Sequence, residues 1–189
     1  MRSTRTTPVA TRPRKFASQA RARATVDALI EATSRILASD GQARASTNHI
    51  ADAAGVSIGS LYQYYPCKEA LFAAVIERHY RNLVLRFRVA LAELAVAAGV
   101  QSLSRLVEVA SEAQRAHPAQ HRLPPGNDDA MTACWCEIHA LLRGFLGEMT
   151  MTGVVDDTVR HVLESLMREM ERKIEGRRLA ASRRTLRSR

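Results

Sequence analysis

The sequence has few of the features that mark secreted, membrane-spanning or disulfide-rich proteins. Only 5% of its 189 residues are aromatic and only three are cysteine. Three cysteines without a regular spacing provide no disulfide framework and are typical of a reducing compartment. No run of about 18 apolar residues is present, so we expect no membrane-spanning helix. The basic N-terminus is not followed by the apolar segment of a secretory signal.

Signatures of catalysis and of metal binding are also missing. The sequence contains no G-x-S-x-G motif, no P-loop and no H-E-x-x-H motif. His117 and His121 are four residues apart, but Pro118 limits any helix there and no third ligand is evident. Cys134 and Cys136 would lie on opposite sides of a helix, so they cannot hold one metal ion together. We therefore predict no catalytic residues, no metal site and no cofactor.

The formal net charge of +9 comes from the two ends of the chain. Residues 1–23 hold seven basic residues and no acidic one, and residues 171–189 hold eight basic and two acidic residues. That leaves 13 basic and 17 acidic residues in 24–170. We predict a disordered basic arm over 1–20 and a disordered basic tail over 176–189, both able to contact phosphate groups. The alternatives for the arm are a loosely solvated tail or a mitochondrial-type presequence.

The hydrophobic pattern predicts an all-α fold, because apolar residues recur at helical spacing along the chain. Helices are expected over about 20–39, 68–98, 102–116, 130–152 and from 157 to 172 or a little beyond. Asp40-Gly41 ends the first of them, and Ser102 is expected to cap the third. Prolines and a glycine break the pattern in residues 117–129.

Residues 46–68 predict a helix-turn-helix motif. Ser46 or Thr47 caps the first short helix, Gly55 ends it in the left-handed conformation, and Ser57 caps the second. Leu61 and Tyr65, four residues apart, form the inner face of the second helix. The outer face is expected to carry small or uncharged polar groups, which suit close contact with DNA: Ser57, Gly59, Ser60, Tyr62, Gln63 and Tyr64.

This stretch closely resembles the DNA-binding domain of the TetR (tetracycline repressor) family of bacterial regulators. The matching residues are Thr47, Ile50, Ala51, Ala54-Gly55-Val56-Ser57, Gly59, Leu61-Tyr62, Tyr64-Tyr65-Pro66 and Lys68-Glu69-Ala70-Leu71. The resemblance extends from about Arg21 to about Val75. At Cys67 the family usually has a polar residue. A redox switch is the alternative there to a plain turn residue.

The resemblance implies a three-helix DNA-binding domain over 21–75 and a helical ligand-binding and dimerisation domain over 76–175. It also implies DNA contacts for Thr47 and Asn48. Gln63 can pair with adenine, Tyr62 with a phosphate, and Ile58 can either touch a thymine methyl or pack. The full set of predicted DNA contacts is Ser46, Thr47, Asn48, Ser57, Ile58, Gly59, Ser60, Tyr62, Gln63, Tyr64 and Lys68.

The pattern of the C-terminal half predicts two further binding partners, a small effector and a second copy of the chain. A small apolar effector is expected against Met131, Trp135, Phe145 and Met149, although such a stripe is also typical of plain core. A second copy of the chain is expected along Val159, Leu163, Leu166, Met170 and Ile174, in a four-helix contact of the last two helices. The alternative is that this seam closes the chain's own core.

The function predicted from these features is a homodimeric repressor of the bacterial cytoplasm and nucleoid, not an enzyme and not a membrane protein. It would be released from a palindromic double-stranded operator by the effector. The region between the long helix and the final pair is shorter than in most relatives. That motivates the alternative of a ligandless architectural DNA-binding protein.

Overall fold

The computed structural model describes residues 20–97, 100–115, 129–152 and 156–187, and these residues form α-helices and short connections with no strand. The predicted all-α fold is confirmed. The predictions for the arm and for the proline-rich break lie outside the described residues. The helices are α1 (Ala20–Ser39), α2 (Gly41–Arg44), α3 (Thr47–Ala54), α4 (Ile58–Tyr64), α5 (Lys68–Val96), α6 (Val100–Gln114), α7 (Asp129–Thr152) and α8 (Asp157–Arg187).

The described helices divide into two compact units, and the division falls within α5 after Arg78. In the first unit α1 packs on α3, and α3 packs on α4. Leu29, Ile50 and Leu61 are fully buried at the centre of this core. The buried Thr33 hydroxyl donates to the Leu29 carbonyl at 2.7 Å, so α1 leaves no unsatisfied polar side chain at that point. Arg78 forms an ion pair of 2.8 Å with Glu31, which joins the start of α5 to α1.

The second unit contains the remainder of α5 with α6, α7 and α8. Its core includes Leu106, Ile138, Leu142, Leu163 and Met170, all buried. The Trp135 indole donates to the Ala113 carbonyl at 2.8 Å and joins α7 to the end of α6. Ion pairs of 2.7 Å join Arg86 to Glu112 and Arg88 to Glu137.

One short helix was not predicted, and two sequence-based expectations about the elements are wrong. The four-residue α2 was not predicted, because one helical turn is too short to show periodicity. The Ser102 hydroxyl lies inside α6, which begins at Val100, and donates to the Ala97 carbonyl at 2.9 Å. The expected disordered tail over 176–189 is helical as far as Arg187, since α8 continues well beyond Arg172.

No helix in the described part of the chain is both long enough and apolar enough to cross a membrane.

The turn between α3 and α4 depends on the conformation of Gly55. Its φ of +67° lies in the left-handed region, while Gly59 within α4 shows no such angle. We expect Gly55→Ala to lower the free energy of unfolding by about 1–2 kcal/mol, because an L side chain is strained there. Gly59→Ala should raise it by roughly 0.5–1 kcal/mol, because alanine favours a helix and its Cβ would meet nothing closer than 3.9 Å. Urea unfolding followed by circular dichroism measures both, and equal stability of the two variants would contradict this account.

Candidate nucleic-acid interface

The start of α3 is fixed by a side-chain cap. Ser46 has an extended backbone, and its hydroxyl accepts the His49 amide N–H at 3.2 Å. Ser46 and Asn48 are exposed and Thr47 is half-buried, so the first turn of α3 presents hydroxyl and amide groups at the surface. A helix N-terminus with such groups is suited to meeting a phosphate.

The start of α4 is built in the same way. The Ser57 hydroxyl accepts the Ser60 amide N–H at 3.1 Å and lies 2.9 Å from the Ser60 hydroxyl. Before it, the Val56 amide N–H donates to the Ala51 carbonyl at 3.0 Å, which closes the end of α3. Both predicted serine caps and the left-handed Gly55 are therefore confirmed. Together they set the direction in which α4 leaves the turn.

A hydrogen bond connects the two helices at the surface. The Thr47 and Tyr62 hydroxyls lie 3.2 Å apart, and either one can donate. The Tyr62 side chain is 42% exposed, so its hydroxyl is accessible while the bond holds it beside the start of α3. No sequence spacing predicted this bond, because the two residues are 15 positions apart and belong to different helices.

The exposed face of α4 is small and uncharged. Ser57, Ile58, Gly59 and Gln63 are exposed, with Ile58 at 39%. Lys68 is half-buried at the start of α5. The small side chains of Ser57 and Gly59 on either side of Ile58 let a DNA backbone come close, and the Gln63 amide can then form two hydrogen bonds with an adenine edge.

The two adjacent tyrosines near the end of α4 differ from the prediction in one respect. Tyr65 is buried in the core, as predicted, and burial raises its pKa to about 12. Tyr64 is only 8% exposed, so its expected place on the outer face is wrong. Tyr64 lies three residues after Leu61, and this i, i+3 spacing is the signal that identifies it as core.

Three residues around the site were missed. The Arg35 guanidinium donates to the Ala53 carbonyl at 3.4 Å and supports the end of α3 from α1. A His49 ring nitrogen lies 3.3 Å from the Arg44 carbonyl. Arg44 is exposed two residues before the Ser46 cap of α3, and its position between Ala43 and Ala45 is the only sequence signal for it.

Burial raises the pKa of the half-buried Cys67 thiol. A raised pKa reduces the reactive thiolate form, which favours a plain turn residue over a redox switch.

The four predicted effector contacts do not share one environment. Met131 and Trp135 are buried in the core of the second unit, whereas Phe145 and Met149 are half-buried. The Trp135 ring also lies beneath two cations, with Lys173 at 5.8 Å and Arg177 at 5.1 Å from its centroid. A shallow hollow on α7 is lined by other residues: His139, Ala140, Arg143, Gly144, Gly147, Glu148 and Met151.

Comparison with known proteins finds relatives of the part of the chain that contains α3 and α4. Residues 29–75 match the profile of the family described as bacterial regulatory proteins, tetR family. The nucleoid occlusion factor SlmA of Actinobacillus pleuropneumoniae serotype 5b is 48% identical over 44 residues, which are 23% of this chain and 22% of that protein. The HTH-type transcriptional activator FasR of Mycolicibacterium smegmatis is 43% identical over 63 residues, 33% of this chain and 29% of that protein. The chain thus spans 22% to 29% of the length of these curated relatives.

Two solved structures share the fold over most of the chain. The fatty acid degradation regulator FadR from Bacillus halodurans matches with a TM-score of 0.52 at 20% identity, covering 79% of this chain and 86% of that one. A TetR transcription regulatory protein from Mycobacterium vanbaalenii matches with a TM-score of 0.50 at 23% identity, covering 83% and 96%.

The residues of the family match include α3, the Gly55 turn and α4, so this quarter of the chain is similar to the tetR family over a helix-turn-helix. The two solved structures extend the shared fold, though not a shared role, over most of the chain.

Proposed function

We propose that this protein is a homodimeric repressor of the bacterial cytoplasm that α4 holds on an operator and that a small apolar effector releases. The observation that carries the DNA-binding part is the exposed face of α4 beside the hydroxyl pair of Thr47 and Tyr62. A recognition helix in the major groove uses its first residues on base edges and neighbouring groups on phosphates. The protein would act by binding and not by catalysis.

The residues proposed to contact DNA fall into two groups. Gln63 and Ile58 offer an amide and an apolar contact to base edges. The others offer hydroxyls, an amide, a close backbone or a cation to the phosphates: Ser46, Thr47, Asn48, Ser57, Gly59, Ser60, Tyr62 and Lys68. We leave Tyr64 out of this set because its ring is buried.

We favour a repressor that recognises an operator over the alternative of a ligandless architectural DNA-binding protein. An architectural protein relies on charge and on DNA deformation rather than on base-edge contacts. The outer face of α4 instead presents an exposed amide and an exposed phenol with no charged side chain among Ile58–Tyr64. Such a face contributes little to binding any duplex by charge alone.

The effector proposal rests on Met131, Trp135, Phe145 and Met149. A ligand that reaches Trp135 would have to disturb the hydrogen bond of its indole to the Ala113 carbonyl. Trp135 is the only tryptophan in the sequence, so a change in the fluorescence emission of the protein would show that the ligand has bound there. Saturated fatty acids are the first probes, because one structural neighbour is titled a fatty acid degradation regulator. A shifted emission together with release of DNA is expected. Unchanged emission and unchanged DNA binding across the series would contradict this ligand class.

The dimer is proposed to form through the outer face of α7 rather than through the predicted seam. Val159, Leu163, Met170 and Ile174 are buried within the chain itself, where α8 packs on α7. The outer face of α7 carries Ala140, Gly144, Gly147 and Met151 at helical spacing, and all four are exposed. Small residues let a helix of a second copy approach closely, and a two-fold axis would bring the same face from both copies together.

Tyr62→Phe tests the DNA contact. On a duplex that the unaltered protein binds specifically, we expect about tenfold or greater loss of affinity, because a hydrogen bond to a charged group contributes about 1.5–3 kcal/mol. Tyr64→Phe is the matched control, since it removes the same atom from a buried ring of the same helix. Fluorescence anisotropy measures both. Equal affinity of Tyr62→Phe and the unaltered protein would show that the phosphate role is wrong.

Ala140→Arg tests the dimer. A long cation within the proposed contact should shift sedimentation from dimer to monomer, while Ala95→Arg, an exposed alanine on α5, should leave the dimer intact. Both changes are nearly neutral for helix formation. A dimer that survives Ala140→Arg, or an unaltered protein that sediments as a monomer, would contradict this interface.

A further inference from the structure

The buried residues described on α8 end well before the helix does. Ile174 is the last buried residue described on this helix, and Leu179 is already 62% exposed. The helical backbone nevertheless continues to Arg187. The twelve residues 176–187, here named the arginine end, span about 18 Å at 1.5 Å per residue.

Charge changes abruptly where the arginine end begins. Before it, the cations of α8 have acidic neighbours: Arg168 lies 3.7 Å from Glu164, and Arg172 and Lys173 both pair with Glu169. After Glu175 the sequence contains six arginines and no acidic residue. The sequence over 176–189 therefore carries positive charge only.

The beginning of the arginine end is held on the folded unit. The Arg177 guanidinium lies 5.1 Å from the centroid of Trp135, and one of its nitrogens lies 4.0 Å from the Met131 sulfur. Lys173 lies over the same ring and donates to the Gln114 side chain at 3.2 Å. These contacts hold α8 against α6 and α7 as far as Arg177, and they fix the direction in which the helix continues.

A polyanion is the partner that such a helix fits. Arginine binds phosphate through two parallel hydrogen bonds, and all six cations after Glu175 are arginine. Binding within a membrane surface would require a broad apolar face with large side chains. Leu179 and Leu186 are the only large apolar residues over 176–189. The choice of a DNA backbone as that polyanion rests on the proposed function, in which α4 binds DNA and the protein therefore meets a row of phosphates.

We propose that the arginine end of α8 is a second DNA-contacting element, which binds the phosphates of double-stranded DNA without regard to sequence. It acts separately from the face of α4, so it adds the same affinity to operator and non-operator duplexes. Its contribution falls as salt rises, since each phosphate contact releases counterions.

The test uses the full chain on a duplex of scrambled sequence. The triple change Arg183→Gln, Arg184→Gln and Arg187→Gln removes three positive charges from the arginine end. The slope of log K against log salt should become shallower by roughly 2 to 3, because each contact contributes about 0.9. The same change should weaken binding to a specific duplex by the same factor.

The matched control removes the same net charge from arginines that have acidic partners in the second unit. Arg86, Arg88 and Arg105 pair with Glu112, Glu137 and Glu93, and changing these three arginines to Gln should leave the slope within about one of its original value. A second variant with Lys at 183, 184 and 187 keeps the charge and should retain most of the slope. Circular dichroism confirms that each variant is folded.

Three results would overturn the proposal. The first is an unchanged slope in the Arg183, Arg184 and Arg187 variant. The second is an equal loss in the paired-arginine control, which would show a general charge effect. The third is loss of binding to vesicles of phosphatidylserine and phosphatidylcholine with unchanged DNA binding, which would assign the arginine end to a membrane surface. Failure of the α4 contacts would appear differently, because Gln63→Ala, which removes the proposed base-edge contact, should weaken only the specific duplex.

Discussion

The direction of α4 depends on the conformation of one residue, Gly55. Its left-handed backbone turns the chain between α3 and α4, and the amide of Val56 closes the end of α3 behind it. Ser57 then starts α4 with its own cap. These three adjacent residues let Leu61 point into the core while the opposite face of a two-turn helix remains exposed. The exposed face proposed to bind DNA is therefore set by the turn between α3 and α4.

Two kinds of interaction stabilise the first unit. Buried apolar contacts around Leu29 and Ile50 hold α1 against the helix pair α3 and α4. Arg35 adds a hydrogen bond and Arg78 adds an ion pair. The hydrogen bond between Thr47 and Tyr62 holds two surface hydroxyls in place before any ligand arrives. Groups that are already positioned lose less conformational entropy on binding, which favours affinity and specificity together.

Local rules of sequence were enough to predict the caps, the left-handed glycine and the buried Tyr65, because each depends on residues within one turn. The predicted exposure of Tyr64 is wrong. The spacing i, i+4 from Leu61 identifies Tyr65 as core, but in so short a helix Tyr64, at i, i+3, packs into the core as well. The apolar seam of α8 could be read from spacing, but spacing does not tell whether the chain's own α7 or a second copy covers it. The predicted length of α8 is too short, because Gly176 and the run of arginines after it resemble a disordered tail. Arginine, leucine and alanine are nevertheless good helix formers, and they continue the helix.

The central claim is that the exposed face of α4 recognises a particular DNA sequence. The most direct measurement is a fluorescence-anisotropy titration of the protein, at physiological salt, on the DNA upstream of its own gene and on a scrambled duplex of equal length. The account predicts binding to the native duplex that is about 10³-fold or more tighter than to the scrambled one. Equal and salt-sensitive binding to both would contradict it, because contacts with phosphates alone would then explain the affinity.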